Sequence, residues 1–169
     1  MEIICKRWSR SGRLPDAVVV EGPLAGGHIA WRSVEEALDP SNKLENLLTD
    51  VLSVAKKWGN IPVIAAGGIW DNGDIKKFMA LGADGVQMGT RFIATAECDA
   101  PEAFKQMLVE AKEEDIVLMK SPVGYPARGI KTELLRKIEA KTAPDVKCIS
   151  NCVIPCHQGV EAKAVGYCI

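Results

Sequence analysis

Hydrophobic residues in this chain fall into two alternating patterns, short apolar runs and stripes of helical period. Asp16-Ala17-Val18-Val19-Val20-Glu21 carries valines with no polar alternation, the pattern of a strand covered on both faces. A glycine-rich turn follows, from Gly22 to His28. Over Lys43 to Trp58, Leu44, Leu47, Leu48, Val51, Ala55 and Trp58 repeat at the spacing of an amphipathic helix, and Gly59 stands where helices stop. Ile61 to Ala66 is a second apolar run ending in Gly67-Gly68, and Asp84 to Met88 a third ending in Gly89-Thr90. Between them a short helix turns Ile75, Phe78 and Met79 to one side, with Gly82 behind it. Asp99-Ala100-Pro101-Glu102 has the form of a capping box opening a helix with Phe104, Met107, Leu108 and Ala111 inward. Ile116 to Met119 reads as a short extended piece, Lys131 to Ala140 as a helix, and Glu2 to Cys5 as a fragment of a further strand.

Buried strands alternating with helices, with glycine at each strand's carboxyl end, predict a parallel α/β sheet. In both main parallel architectures ligands bind at the carboxyl ends of the strands. All three glycine turns therefore fall on one face.

Glycine after a buried strand lets backbone N–H groups approach a ligand with no Cβ in the way. The turns at Gly67-Gly68 and Gly89-Thr90, on consecutive strands, suit a phosphate held between them, with Thr90 adding a hydroxyl and Arg91 a charge. The plainer alternative is that these glycines serve tight turns only. His28 stands behind Gly26 and Gly27 on the same face, where an imidazole can take or give a proton near neutral pH. Glu21, at the strand's end, is either a ligand contact or a structural carboxylate receiving loop amides.

Composition narrows the function classes. The chain has 169 residues, 47% hydrophobic and 25% charged, enough for one domain with a proper core. Its 21 basic and 22 acidic residues give a net charge of -1, so no basic surplus exists to neutralise phosphates, and neither nucleic acid nor an anionic membrane is the expected partner. The near-apolar run Ile61 to Trp70 falls short of the roughly 20 residues of a spanning helix. The start, MEIICKRWSR, lacks the apolar core of a secretory signal. A cytoplasmic protein acting on a small molecule is expected.

The segments VVVEGPLAGGH, IPVIAAGGI and GADGVQMGTRF, in that order, together with ICKRW, ATAECDA and the SPVGYPAR of Ser121 to Arg128, resemble the nitronate monooxygenase family. That family, once called 2-nitropropane dioxygenases, also holds FMN-dependent enoyl-ACP reductases. The resemblance implies an α/β fold in which this chain is the C-terminal part of a (β/α)8 TIM barrel, incomplete in itself. Its complement would be the missing N-terminal half or further copies of the chain. It implies FMN contacts at Glu21, Gly26, Gly27, Gly67, Gly68, Gln87, Met88, Gly89 and Thr90. His28 matches the family's catalytic histidine, taken to deprotonate neutral nitroalkanes or to position substrate. The implied activity is oxidation of alkyl nitronates with dioxygen to a carbonyl compound and nitrite. The alternatives are an NAD(P)H-dependent, FMN-containing enoyl-ACP reductase, or a non-catalytic fragment or subunit of a split flavin barrel.

The chain divides into the partial barrel, residues 1–140, and a cysteine-rich segment, 141–169. In the latter Cys148, Cys152, Cys156 and Cys168, with His157 alongside, could hold zinc or an iron–sulfur cluster. Without the tight C-x2-C knuckle of common zinc sites, reduced structural thiols are the competing interpretation.

Overall fold

The computed structural model describes residues 1–121, 125–140 and 142. In chain order the elements are helix α1 (Glu2–Ser9), strands β1 (Val18–Glu21) and β2 (Gly27–His28), helices α2 (Val34–Leu38) and α3 (Leu44–Lys57), strand β3 (Val63–Ala66), helix α4 (Asn72–Ala80), strand β4 (Gly85–Gln87), helices α5 (Thr90–Ile93) and α6 (Glu102–Glu110), hairpin strands β5 (Ile116–Lys120) and β6 (Pro126–Ile130), and helix α7 (Glu133–Glu139).

The three apolar runs become one parallel sheet in the order β1-β3-β4, with Val20 opposite Ala65 and Ala65 opposite Val86. Helix α3 lays Leu44, Leu48 and Ala55 on this sheet. Leu48 and Val63 are wholly buried at the contact. The helix ends at Trp58, and Gly59 takes a φ of +96° just beyond it, the left-handed conformation that glycine supplies at a helix end. Asp84 ties the starts of β3 and β4 together. Its carboxylate accepts the Val63 N–H at 2.8 Å, and its own N–H donates to the Val63 carbonyl at 2.8 Å. Because these bonds lie at the amino ends of the strands, this acid is structural. At the entry to α4 the Asp71 carboxylate accepts the Asp74 N–H, while the Asp74 carboxylate accepts the Trp70 N–H, fixing the loop that follows β3.

Several expectations need correction. Glu2 to Cys5 is helical, the first half of α1, which buries Cys5 against the parallel core. Of the three residues placed on one face of α4, Phe78 is buried and Ile75 packs on the core, while Met79 is 44% exposed. The capping box at Asp99 to Glu102 is not formed: Pro101 occupies the N-cap of α6 and makes no side-chain bond. A reciprocal cap stands instead at α2, where Ser33 Oγ accepts the Glu36 N–H and the Glu36 carboxylate accepts the Arg32 N–H.

The extended piece at Ile116 pairs with a strand the hydrophobic pattern did not show. Strands β2, β6 and β5 form a second sheet, antiparallel, in that order. Its core is small, with Ala25, Ile29 and Ala37 buried and Trp31 and Leu118 packed against them. On the parallel sheet, β1 was expected to need cover on both faces. Val20 has it, whereas Val19 is 47% exposed, next to Ile4 and Trp8 in a shallow apolar hollow.

Candidate functional site

Strands β3 and β4 are parallel neighbours, so the turns that follow them leave the same edge of the sheet. Both open into one cleft of about 740 Å³, lined by Gly67, Gly68, Gly89 and Thr90 among others, a volume within the range of ligand sites. The third glycine turn closes over them. Gly22 to Ala25 form a tight turn with Pro23 second, the Ala25 N–H donating to the Gly22 carbonyl at 3.1 Å. This turn lies directly on the first. A Cβ at Gly67 would stand 3.0 Å from the Ala25 nitrogen and from the Gly22 oxygen, and one at Gly68 would stand 2.8 Å from Leu24 Cβ. Both glycines also take left-handed φ, +91° and +77°, so geometry and space together demand glycine. Gly26 then approaches the Gly89-Thr90 turn, the site of its missing Cβ lying 3.8 Å from Thr90 Oγ1.

Among the described residues, no hydrogen bond outside the helices and the sheet ladder takes the N–H groups of Gly68, Gly89 or Thr90. Backbone donors left unpaired at a cleft are available to an anion. Charges of both signs line the cleft: Arg91, Lys112 and Arg128 against Glu21 and Glu113. Arg91 lies over the Trp70 ring, 4.8 Å from its centroid, and both residues line the cleft. Arg128, from β6, reaches across to donate to the Leu24 carbonyl at 3.0 Å. Burial pulls its guanidinium down from its ordinary value, and among the described residues it has no carboxylate partner. The far wall is apolar. Phe104, Met107, Leu108 and Ala111, assigned inward from the sequence, face this cleft, and Phe104 remains 41% exposed.

Glu21, Gly26, Gly27, Gly67, Gly68, Gln87, Met88, Gly89 and Thr90 thus line one cleft. His28 stands apart from that lining. It sits in β2 beside Ala127 of β6, and its Nε2 lies 2.9 Å from Ser121 Oγ. Ser121 is 3% exposed, the one buried polar side chain among the described residues. Sequence reasoning gave no role to Trp70 or Arg128. The PAR of SPVGYPAR was the only signal for the latter. Cys148, Cys152, Cys156 and Cys168 lie outside the described residues. Within those residues no cluster of His, Cys, Asp and Glu could hold a metal, and no helix is long and apolar enough to cross a membrane.

Fold and site together define an α/β protein with a glycine-walled cleft at the carboxyl edge of its parallel sheet. The sequence profile described as NMO, nitronate monooxygenase, matches residues 1–166, and the chain belongs to that family. It is 38% identical over 124 residues to a probable nitronate monooxygenase of Staphylococcus saprophyticus, covering 73% of this chain and 34% of the relative. A probable nitronate monooxygenase of Staphylococcus aureus strain Newman is 36% identical over 128 residues, with the same coverage. Among solved structures, nitroalkane oxidase from Streptomyces ansochromogenes superposes with a TM-score of 0.62 at 33% identity, over 85% of this chain and 40% of that one. FabK from Thermotoga maritima gives 0.61 at 37% identity, over 82% and 40%. The chain spans about a third of the length of the curated relatives it matches.

Proposed function

We propose that this chain forms the phosphate-binding side of an FMN site in a cytoplasmic oxidoreductase that oxidises alkyl nitronates, and that its parallel strands belong to a (β/α)8 barrel. The observation that carries the reading is the set of N–H groups at Gly68, Gly89 and Thr90, without a partner among the described residues, in one cleft. These residues fit a phosphate-bearing cofactor. The turns are glycine where a Cβ would collide with Leu24 or Ala25, the Gly68, Gly89 and Thr90 donors have no partner among the described residues, and Arg91 adds positive charge at the rim. FMN, when bound, would supply the two-electron chemistry, with electrons leaving the nitronate and passing to dioxygen. The protein's own share is to hold the phosphate by backbone N–H groups and to keep an apolar wall at Phe104, Met107 and Leu108. Arg91, Lys112 and Arg128 outnumber Glu21 and Glu113 by one charge along the cleft, a balance that favours an anionic substrate over its neutral conjugate acid. The partner is accordingly a small molecule.

The test compares ligands that differ only in the phosphate. FMN titrated into the protein should bind at least about tenfold tighter than riboflavin, a difference of about 1.4 kcal/mol. Equal affinities would remove the phosphate site and with it this reading. Oxygen uptake and nitrite release on ethyl nitronate would support the reaction. Reduction of an enoyl thioester by NAD(P)H, with nitronate untouched, would replace it with the reductase.

A further inference from the structure

The two glycine turns of the cleft are joined by a side-chain contact just beyond them. Trp70 stands two residues after Gly68, and Arg91 two residues after Gly89. The Arg91 guanidinium lies over the indole ring, 4.8 Å from its centroid, and both residues line the cleft. The backbone around Trp70 is fixed: Ile69 is buried in the parallel core, and the Trp70 N–H donates to the Asp74 carboxylate at 2.9 Å. The ring is nevertheless 50% exposed. So large a side chain at the mouth of a cleft, on an anchored backbone, adds little to the core. Its contact is with the cation.

An indole acts on an arginine differently from a carboxylate. A carboxylate would also hold the guanidinium in place, but would cancel its charge. The π face of an indole attracts the cation and leaves the charge whole. It supplies no oxygen acceptor either, so the fork of N–H donors stays available to an anion. A long, exposed arginine otherwise samples many rotamers, and ordering it on binding costs affinity. A ring that restricts it beforehand removes part of that cost. Lys77, which lies over Phe78 at 5.2 Å, gives the contrast: it is ion-paired with Glu45, and neither Lys77 nor Phe78 lines the cleft.

We propose that Trp70 is a positioning residue for Arg91: the indole holds the guanidinium, charged and pre-ordered, where its N–H groups meet the terminal phosphate of the flavin nucleotide. The role belongs to the aromatic face, and apolar bulk alone does not replace it. Backbone N–H groups of the turns then take the phosphate oxygens, while the arginine held by the ring offsets their charge. The inference rests on the phosphate-site reading above, and the test separates the two.

The test titrates FMN and riboflavin into the full chain and its variants and reads the ratio of the two affinities. Arg91→Ala should lower FMN affinity about tenfold, the worth of a hydrogen bond to a charged group, and leave riboflavin unchanged. Trp70→Ala should lower FMN affinity about two- to fivefold, the worth of an exposed cation–π contact, again with riboflavin unchanged. Trp70→Leu, which keeps apolar bulk without a π face, should match Trp70→Ala, and Trp70→Tyr should retain most of the wild-type ratio. In the Arg91→Ala background, Trp70→Ala should cost nothing more. With no ligand present, the ring current should move the Arg91 Nε–H proton upfield in the wild type, and Trp70→Leu should return it to its ordinary position. Equal losses of FMN and riboflavin in Trp70→Ala would set the indole against the flavin ring itself and overturn the proposal. Additive losses in the double variant, or a Trp70→Leu ratio equal to wild type, would overturn it too. A wild type that prefers FMN, with the preference unaltered in Trp70→Ala, sinks this inference and leaves the phosphate site standing. No preference in the wild type fails the phosphate reading, and the role of Trp70 with it.

Discussion

The two sheets are built on opposite plans. The parallel sheet is assembled from consecutive strand–helix units, and its core runs continuously from Cys5 and Val20 through Leu48 and Val63 to Phe78. The antiparallel sheet joins a two-residue strand to a hairpin about a hundred positions later, since Gly27 pairs with Arg128. Its buried cluster among the described residues is Ala25, Ile29 and Ala37, with Pro126 and Ala127 of β6 also buried. One sheet is held by apolar burial, the other by its ladder and by side chains such as Arg128 on the Leu24 carbonyl. The glycine turns of the cleft sit on the first, and His28, Ser121 and Arg128 on the second. A packed core fixes the backbone of the turns rigidly, while the thin sheet carries polar side chains, with His28 exposed and Ser121 buried beside it.

The sharpest way to break this comparison is to remove one large side chain from each core. Leu48→Ala deletes a wholly buried side chain between α3 and the parallel sheet and should cost about 2–5 kcal/mol, read from urea unfolding. Ile29→Ala, 2% exposed in the small cluster, should cost about 2 kcal/mol, the low end of the same range, because fewer neighbours lose contact. An Ile29→Ala loss equal to that of Leu48→Ala would show that the second sheet is supported as firmly as the first.

Legibility in the sequence divides along the same line. Val18 to Val20 and Ile61 to Ala66 announce themselves because a strand covered on both faces is apolar at every position. The turns after them could be placed on one edge from topology alone. Strand β6, Pro-Ala-Arg-Gly-Ile, offers no such signal: proline and glycine are poor strand formers, and the arginine serves the cleft. Its existence depends on long-range pairing, which no local window contains. Glu2 to Cys5 misled for the reverse reason, since Ile3, Ile4 and Cys5 form a short apolar run that fits strand and helix equally. The glycine positions of the site were thus readable. The contact of His28 with Ser121, 93 residues apart in the chain, was not.

Glycine substitutions sharpen the contrast between support and recognition. Gly68→Ala places a Cβ 2.8 Å from Leu24 Cβ at a φ of +77° and should cost about 1–3 kcal/mol of stability, with loss of FMN binding. Gly89→Ala is the cleaner probe. Its φ is -109° and no atom lies within 4 Å of the added methyl group, so stability should change by less than about 0.5 kcal/mol. FMN affinity should nevertheless fall about tenfold or more, because the methyl group enters the space assigned to the phosphate. Unchanged FMN affinity in Gly89→Ala would move the phosphate elsewhere in the cleft. Gly129→Ala, in β6 with only Met119 Cε at 3.8 Å, should leave both quantities near wild type.

The smallest expected effect concerns surface charge, and it tests whether ion pairs share in the difference between the sheets. Lys77 of α4 donates to the Glu45 carboxylate of α3 at 2.5 Å, joining two helices of the parallel unit. The pairs on the other side lie within or beside α7, Lys137 with Glu133 and Lys131 with Glu139. The hydrogen bond from Lys77 holds the Glu45 carboxyl below its ordinary value, and the same bond holds the Lys77 ammonium above its own. The Glu45 contribution is therefore present above the ordinary carboxylate value and is lost as pH falls through the lowered one. The Lys77 contribution is complete below the ordinary lysine value and is lost as pH rises through the raised one. Both partners are more than a third exposed, and exposed pairs are strongly screened. Glu45→Gln should lower Tm at neutral pH by about 1 °C or less, and that difference should vanish in acid once Glu45 is protonated in the folded state. A difference that persisted in acid would assign the effect to packing between α3 and α4 and leave the ion pair with no part in the stability of the parallel unit.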